Sequence, residues 1–414
     1  MNFFKTNKSS LLLLGGLIIG GLIGVLWGEG ATMLQPIGQI FVNFMYMVLV
    51  PLVFFSISGA IAQMTSGKRI GKIMLATVLV FSFTAFLSAV LGYLGLIIFP
   101  IIDVAHFDVS TVIKEIGEVK AQESISLSER VVSMLTVEDF YHLFSKDNMI
   151  AVIIMSILVG LATSKTSEEN QTFKNFLVSG NQMMMTLIGF IMKFAPIGLG
   201  CYFASVIGSL GSQLIGGYMR TFILYCVLVA IYFFGFFTFY AYLSGGKTYV
   251  KTFWSHIAPP AITALATCSS AASIPVNIEA TKKMNVSDDI AETVIPLGAN
   301  IHKDGSVIGG VFKIGFLFLL YGRDIFSVES MLLIIGGGFF IGLVMGSIPG
   351  GGMIAETLIV SMFGFPMDAI PLILIISTII DMPATLLNSA GNTVSAMMVQ
   401  RLMNVFDKES KSAN

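Results

Sequence analysis

The chain has 414 residues, of which 55% are hydrophobic and only 11% charged, with a formal net charge of -1 and a mean hydropathy of +0.87. Soluble globular proteins carry about 25% charged residues, so this composition excludes a soluble domain and identifies a polytopic membrane protein. The near-neutral balance, without a basic cluster interleaved with aromatics, excludes a nucleic-acid binder. Cys201, Cys226 and Cys268 show no CxxC spacing and so indicate neither a zinc site nor a disulfide framework.

Residues 11–27 follow Lys5 and Lys8 and read as a first spanning helix rather than a secretory signal: the apolar run is longer than a signal core, and no A-x-A-like site follows. Apolar segments at 37–62, 73–100, 148–164, 175–207 and 217–243 are each long enough to cross about 30 Å of hydrocarbon, with tilt where needed. Residues 103–147, rich in Asp and Glu, are the one sizeable loop expected outside the bilayer. Cations mark every second connection: Lys68, Arg69 and Lys72, then Lys165 and Lys174, then Lys247 and Lys251, with Arg401, Lys408 and Lys411 near the end. The alternate connections, near Glu29 and Gly208–Gly216, are nearly free of them, which places both termini in the cytoplasm.

Beyond residue 246 simple spans fail. Residues 257–280 are interrupted by Pro259, Pro260, Thr267-Cys-Ser-Ser-Ala-Ala-Ser273 and Pro275, and end at Lys282 and Lys283, so the segment enters and leaves by one face as a re-entrant hairpin tipped by serines. Residues 331–362 repeat the shape around Gly346-Ser-Ile-Pro-Gly-Gly-Gly352 and enter from the other face. Each hairpin precedes a long helix with a polar interruption, first at Asn300–Gly305 and then at Asp381–Asn392. Two such units in opposite orientation form the inverted repeat of a secondary transporter.

The first interruption holds His302, Lys303 and Asp304 side by side in apolar sequence. A charge at bilayer depth costs from about 2.5 to over 10 kcal/mol unless it is paired or faces water, so these residues mark a site for ions and a small solute. Gly298 and Gly305 bracket them and suggest a helix unwound at mid-membrane. In the second interruption, Asp381, Thr385 and Asn388 fall on one helical face and bring a carboxylate, a hydroxyl and an amide to one spot, as an α-amino acid requires. The structural alternative is hydrogen bonding between helices. Lys193 and Lys313 are read as snorkelling or paired, and Glu356 as serving the second hairpin or facing its aqueous mouth.

These segments resemble the dicarboxylate/amino acid:cation symporter family. The similarity rests on Ser269-Ser-Ala-Ala-Ser-Ile-Pro-Val276, Pro296-Leu-Gly-Ala299, Asp304-Gly305, Ile348-Pro349-Gly350, Asp381 with Thr385 and Asn388, and Phe194-Ala-Pro-Ile-Gly198. Members of this family are among the known cases of the inverted repeat, so the repeat is not independent support. The resemblance implies an all-α elevator-type transporter with eight transmembrane helices and two re-entrant hairpins, assembled as a homotrimer in the cell membrane. Residues 1–248 would form a six-helix part for scaffold and trimerisation, with some helices joining the moving part. Residues 249–414 would form the translocating core: hairpin 1, broken helix 7, hairpin 2 and broken helix 8. Substrate contacts are expected at Ser269, Ser270, Ser306, Ile348, Pro349, Gly350, Asp381, Ala384, Thr385 and Asn388, with Asp381 on the ammonium and Asn388 on the carboxylate. Cation or proton coupling is expected at Gly298, His302, Lys303, Asp304, Asn388 and Asn392.

The departures from the family pattern point to substrate and coupling ion. Members that take acidic substrates place an arginine where this chain has Ala384 or Cys268, so a small neutral amino acid is expected; Lys303 or Lys313 in reach of the solute would restore an acidic preference. The usual Asn-Met-Asp-Gly-Thr is His302-Lys303-Asp304-Gly305-Ser306 here, and the last Asp of the final motif is Asn392. An ammonium about 4 Å from a bound cation opposes it by roughly 4 kcal/mol at an effective dielectric of about 20, about a thousandfold in affinity. Lys303, paired with Asp304, therefore reads as a tethered substitute for sodium, and the coupling ion as a proton carried by His302 or Lys303, with no cofactor or metal. Two alternatives stay open: a permanent Lys303–Asp304 pair with uncoupled transport, and sodium coupling through a remaining site. An intramembrane aspartyl protease using Asp304 and Asp381 lacks the Gly-x-Gly-Asp context of that class, and a channel would need an open axis rather than an occluded site.

Overall fold

The structure, a computed structural model, describes residues 8–63, 68–99, 101, 132, 136–145, 148–166, 171–210, 213–344 and 351–412. Among them all regular structure is helical. The N-terminal half contains α1 (Lys8–Trp27), a 3-10 turn, α2 (Gln35–Ala62), α3 (Lys68–Ile98), a single turn α4 (Phe140–Leu143), α5 (Met149–Lys165) and α6 (Gln171–Leu210). Next come α7 (Gln213–Ile231), a π-turn (Tyr232–Phe236) and α8 (Phe237–His256). The C-terminal half contains α9 (Ala258–Thr267), α10 (Ile274–Lys283), α11 (Asp288–Ile301), α12 (Asp304–Leu320), α13 (Val328–Val344), α14 (Gly351–Phe363) and α15 (Ile370–Ser412). Five apolar stretches of the described chain are long enough to cross a membrane: Leu12–Gly59, Gly71–Ile98, Gln171–Ser209, Leu214–His256 and Met367–Phe406. The first takes in both α1 and α2.

The helices pack in two groups. In the first, α6 is flanked by α1 and α2, and α5 lies on α2. Small residues set the α1–α6 distance: Gly16, Gly20 and Gly24 step along α1 in fours and face Pro196, Gly200 and Ala204. A β-carbon on Gly20 would stand 2.1 Å from the Gly200 carbonyl oxygen, so the two backbones touch. Lipid tails are as apolar as leucine, and close backbone packing of this kind is what joins helices in a membrane.

In the second group α15 is the hub, touching α3 and each helix from α7 to α12. Helix α12 lies beside it and is buried along its whole length apart from Ser306, between α3, α13 and α15. The first hairpin forms as the sequence suggests: α9 and α10 are joined through Cys268, a non-glycine residue in left-handed backbone with φ 47°. Asn277 of α10 donates to the Ser389 carbonyl oxygen at 2.9 Å and to its Oγ at 3.0 Å, which ties this hairpin to α15. Helices α13 and α14 form the arms of the second hairpin. Its Gly346–Gly350 run, with the expected contacts Ile348, Pro349 and Gly350, lies outside the described residues.

Two expectations need correction. The break between α11 and α12 is made by His302 (φ -105°, ψ 112°) and Lys303 (φ -140°, ψ 51°), while Gly298 and Gly305 stay helical. The glycines instead allow close approach, since a β-carbon would meet Asn392 Oδ1 at 2.3 Å from Gly298 and the Ala384 carbonyl oxygen at 2.5 Å from Gly305. The second interruption is no break at all: α15 runs unbroken through Asp381–Asn392, with Pro383 inside it. Its polar side chains find partners on neighbouring helices, so the backbone has no need to open. Replacing Gly20 by valine should lower thermal stability in detergent by about 1–3 kcal/mol or more, as overpacking does. Gly15→Val, where no atom lies within 4 Å, should be near neutral in the same thermal-shift measurement.

Candidate functional site

The helix break places three ionisable side chains in different surroundings. The His302 ring, 1% exposed, stacks on Phe81 with centroids 4.2 Å apart. Its Nδ1 is 2.9 Å from Asn392 Oδ1 and its Nε2 is 2.8 Å from Thr84 Oγ1. A carboxamide oxygen only accepts, so this pairing assigns a proton to Nδ1. The Thr84 hydroxyl also lies 3.2 Å from the Phe81 carbonyl oxygen. It can therefore donate to Nε2 of a neutral imidazole, or turn to Phe81 and accept from an imidazolium, with the heavy atoms in place. Asp304 Oδ1 stands 3.2 Å from Nε2, close enough for charge attraction but out of line for a hydrogen bond.

Asp304 is fully buried, and its Oδ2 accepts from the Tyr232 hydroxyl at 2.9 Å. Tyr232 opens the π-turn, and its hydroxyl is 2.9 Å from that of Tyr240. Lys303 does not pair with Asp304 as expected. Its ammonium reaches back to the Ala299 carbonyl oxygen at 2.8 Å, in the last turn of α11, where the exposed carbonyls of a helix end favour a cation. Asp304 is engaged instead by Tyr232.

The trio on α15 is placed as the spacing suggests. Asp381 is exposed. Thr385 and Asn388 lie below it at 5% and 6% exposure. Asn388 Oδ1 accepts from the Ser306 N–H at 3.2 Å, and its Nδ2 donates to Ser306 Oγ at 3.0 Å. Ala384 packs on Gly305, so backbone occupies the space beside it. At the first hairpin tip Ser269 Oγ accepts from the Ala272 N–H, while Ser270 is buried without a hydrogen bond of its own among the described residues. Asp304 is bonded to Tyr232 and Asp381 makes no side-chain hydrogen bond among the described residues, so the two share no contact of a carboxylate dyad.

Several residues of this region escape sequence reasoning. Thr84 and the two tyrosines come from α3, the π-turn and α8, far from any motif, and Tyr225 of α7 donates to the Gly305 carbonyl oxygen at 2.7 Å. Lys313 and Glu356 pair with each other at 2.7 Å, at 2% and 0% exposure, and Ser377 of α15 hydrogen-bonds to both. Lys193 is exposed and sits over the Phe190 ring at 5.2 Å.

A helical, multi-pass membrane protein whose buried polar groups cluster at a helix break between two hairpin-helix units has the architecture of a transporter of small solutes. The sequence profile of the sodium:dicarboxylate symporter family matches residues 10–402, and the chain belongs to that family. It is 25% identical to the proton/sodium-glutamate symport protein of Bacillus subtilis (strain 168), over 95% of this chain and 92% of that protein. It is also 25% identical to the C4-dicarboxylate transport protein of the same organism, over 100% of this chain and 97% of that one. The L-cystine uptake protein TcyP of Shouchella clausii is again 25% identical, over 96% and 89%.

The Lys313–Glu356 pair makes a separable prediction. Lys313→Met alone strands a buried carboxylate and should cost about 3–5 kcal/mol, whereas Lys313→Met with Glu356→Leu should recover most of that loss. Thermal unfolding of the single and double variants, read by intrinsic fluorescence, is the check.

Proposed function

We propose that the chain is a secondary active symporter of small neutral amino acids, coupled to protons and independent of sodium. One observation carries this reading: nitrogen atoms of the chain itself fill the positions where a coupling cation would sit. The Lys303 ammonium caps the end of α11, where unwound helix carbonyls hold sodium or protons in transporters of this architecture. The His302 imidazole lies among Asn392, Thr84 and Asp304, whose oxygens would otherwise form a cation cage. A metal ion entering either place would meet a fixed nitrogen group and lack the oxygen ligands it needs. A histidine with partners for both of its protonation states suits a group that carries a proton.

The substrate reading rests on charge. Lys313 is held by Glu356, and Ala384 and Cys268 stand where members that take acidic substrates carry an arginine, which supports a solute without an acidic side chain. Glutamate, C4-dicarboxylates and cystine are the solutes that the relatives' names give. Sodium-coupled uptake of an acidic amino acid or dicarboxylate is the second reading, favoured by those names. The family resemblance further supports an elevator in which α3, α7, α8 and the C-terminal helices move against α1, α2, α5 and α6, within a homotrimer in the cell membrane with both termini cytoplasmic.

The test is uptake of radiolabelled serine and alanine into proteoliposomes under an imposed proton or sodium gradient. One pH unit carries about 1.4 kcal/mol, enough for about tenfold accumulation at one proton per solute. The proton gradient alone should drive accumulation, and His302→Gln should abolish it while leaving counterflow exchange intact. Accumulation driven only by sodium would sink the coupling assignment.

A further inference from the structure

Two hydrogen bonds cross between the packing groups at the joint between the second hairpin and α15. Tyr46 of α2 donates to the Met367 carbonyl oxygen at 2.7 Å, and Tyr202 of α6 donates to the Asp368 carbonyl oxygen at 3.0 Å. The acceptors are consecutive residues of the 3-10 turn Met367–Ala369, which leads from α14 into α15. The sequence explains why the first of them is free to accept. Pro371 stands four residues after Met367 and has no N–H, so the helical i+4 bond to that carbonyl cannot form. The Ile370 N–H takes one lone pair of the oxygen, and the Tyr46 hydroxyl takes the other.

The acceptor turn is itself fixed to the second group. Gly364, in left-handed backbone with φ 70°, turns the chain out of α14. Arg323, just beyond α12, donates from Nη1 to the Phe363 carbonyl oxygen at 3.3 Å and lies over the Phe365 ring at 4.9 Å. A pull on the turn is therefore passed to α12 as well as to α15. On the other side Tyr202 is buried and Tyr46 half-buried, and each belongs to a helix packed in the first group. Because the two acceptors are adjacent, a relative shift of the groups by a few ångströms breaks both bonds together.

We propose that Tyr46 and Tyr202 form a latch that pins the α15 group to the α1–α6 group, and that it must open before the groups slide. This rests on the elevator reading and names the contact that sets its resting position. Neutral hydrogen bonds suit the task. Each is worth about a 2- to 10-fold bias, enough to hold a position and weak enough to break in every transport cycle. A buried ion pair at the seam would instead leave stranded charges on opening. Tyr218 supplies a comparison: its hydroxyl donates to the Leu372 carbonyl oxygen at 3.1 Å, one turn further along α15, but from α7, inside the second group. That bond travels with its acceptor and is no latch.

The experiment measures spin-label distances by double electron–electron resonance in the intact chain in lipid nanodiscs. Labels go on the exposed residues Asn175 of α6 and Arg401 of α15, with Cys201, Cys226 and Cys268 replaced by alanine. Singly labelled proteins identify distances between copies, and thermal unfolding checks that each variant is folded. Tyr46→Phe and Tyr202→Phe should each raise the share of a second distance about 2- to 10-fold relative to the first, and the double variant should raise it further. Tyr218→Phe should leave the distribution as it is in the parent. Two distances in the parent's proportions in the double variant would overturn the latch and leave sliding intact. An equal shift in Tyr218→Phe would also overturn it, because the effect would then be a general loosening. A single distance in every protein, with and without alanine, would remove the elevator reading and the latch with it.

Discussion

Opening a helix inside an apolar bundle releases polar backbone that hydrocarbon cannot hydrate, and most of the arrangement around residues 301–304 answers that need. The last turn of α11 ends in a free carbonyl at Ala299, and the ammonium of Lys303 satisfies it. The first turn of α12 presents Asp304 to a hydroxyl from the π-turn. Between them His302 closes the gap to α3 and α15 through Thr84 and Asn392. Each group that hydrates the break in place of water is also ionisable or bonded to an ionisable group, so holding the fold open and handling charge are done by the same side chains.

The second packing group exists to carry this break. Helix α15 can stay continuous because three of its polar residues find partners on adjoining helices: Asn388 with Ser306, Ser389 with Asn277, Asn392 with His302. Glycines at 298 and 305 bring α11 and α12 against it closely enough for such short bonds. The first hairpin is anchored to α15 through Asn277, and the second through Glu356, Lys313 and Ser377. Both hairpins are therefore referenced to the helix that bears Asp381. The α1–α6 pair is held by backbone contact along its glycine row.

At the break the chain's own nitrogen groups stand among the available oxygens: the Lys303 ammonium on the Ala299 carbonyl, and the His302 ring between Asn392, Thr84 and Asp304.

Composition and hydropathy alone determined that the chain is a multi-pass helical membrane protein, because removal of so much apolar surface from water leaves no other solution. Breaker residues at 267–275 located the first hairpin, and the i, i+4, i+7 spacing of Asp381, Thr385 and Asn388 set them on one face, since both signals are local in the chain. What stayed hidden was pairing across long separations. The spacing of His302, Lys303 and Asp304 suggested that Lys303 pairs with Asp304, whereas the three side chains go to Asn392, the Ala299 carbonyl and Tyr232. Likewise a polar run in the last helix looked like a break, and only the presence of partners on adjoining helices let it remain helical. Such partners contribute isolated residues, Thr84, Tyr232 and Glu356 among them, with no periodic or motif signal of their own. Tertiary structure decided them, because a buried polar group is satisfied by whichever helix packing brings near.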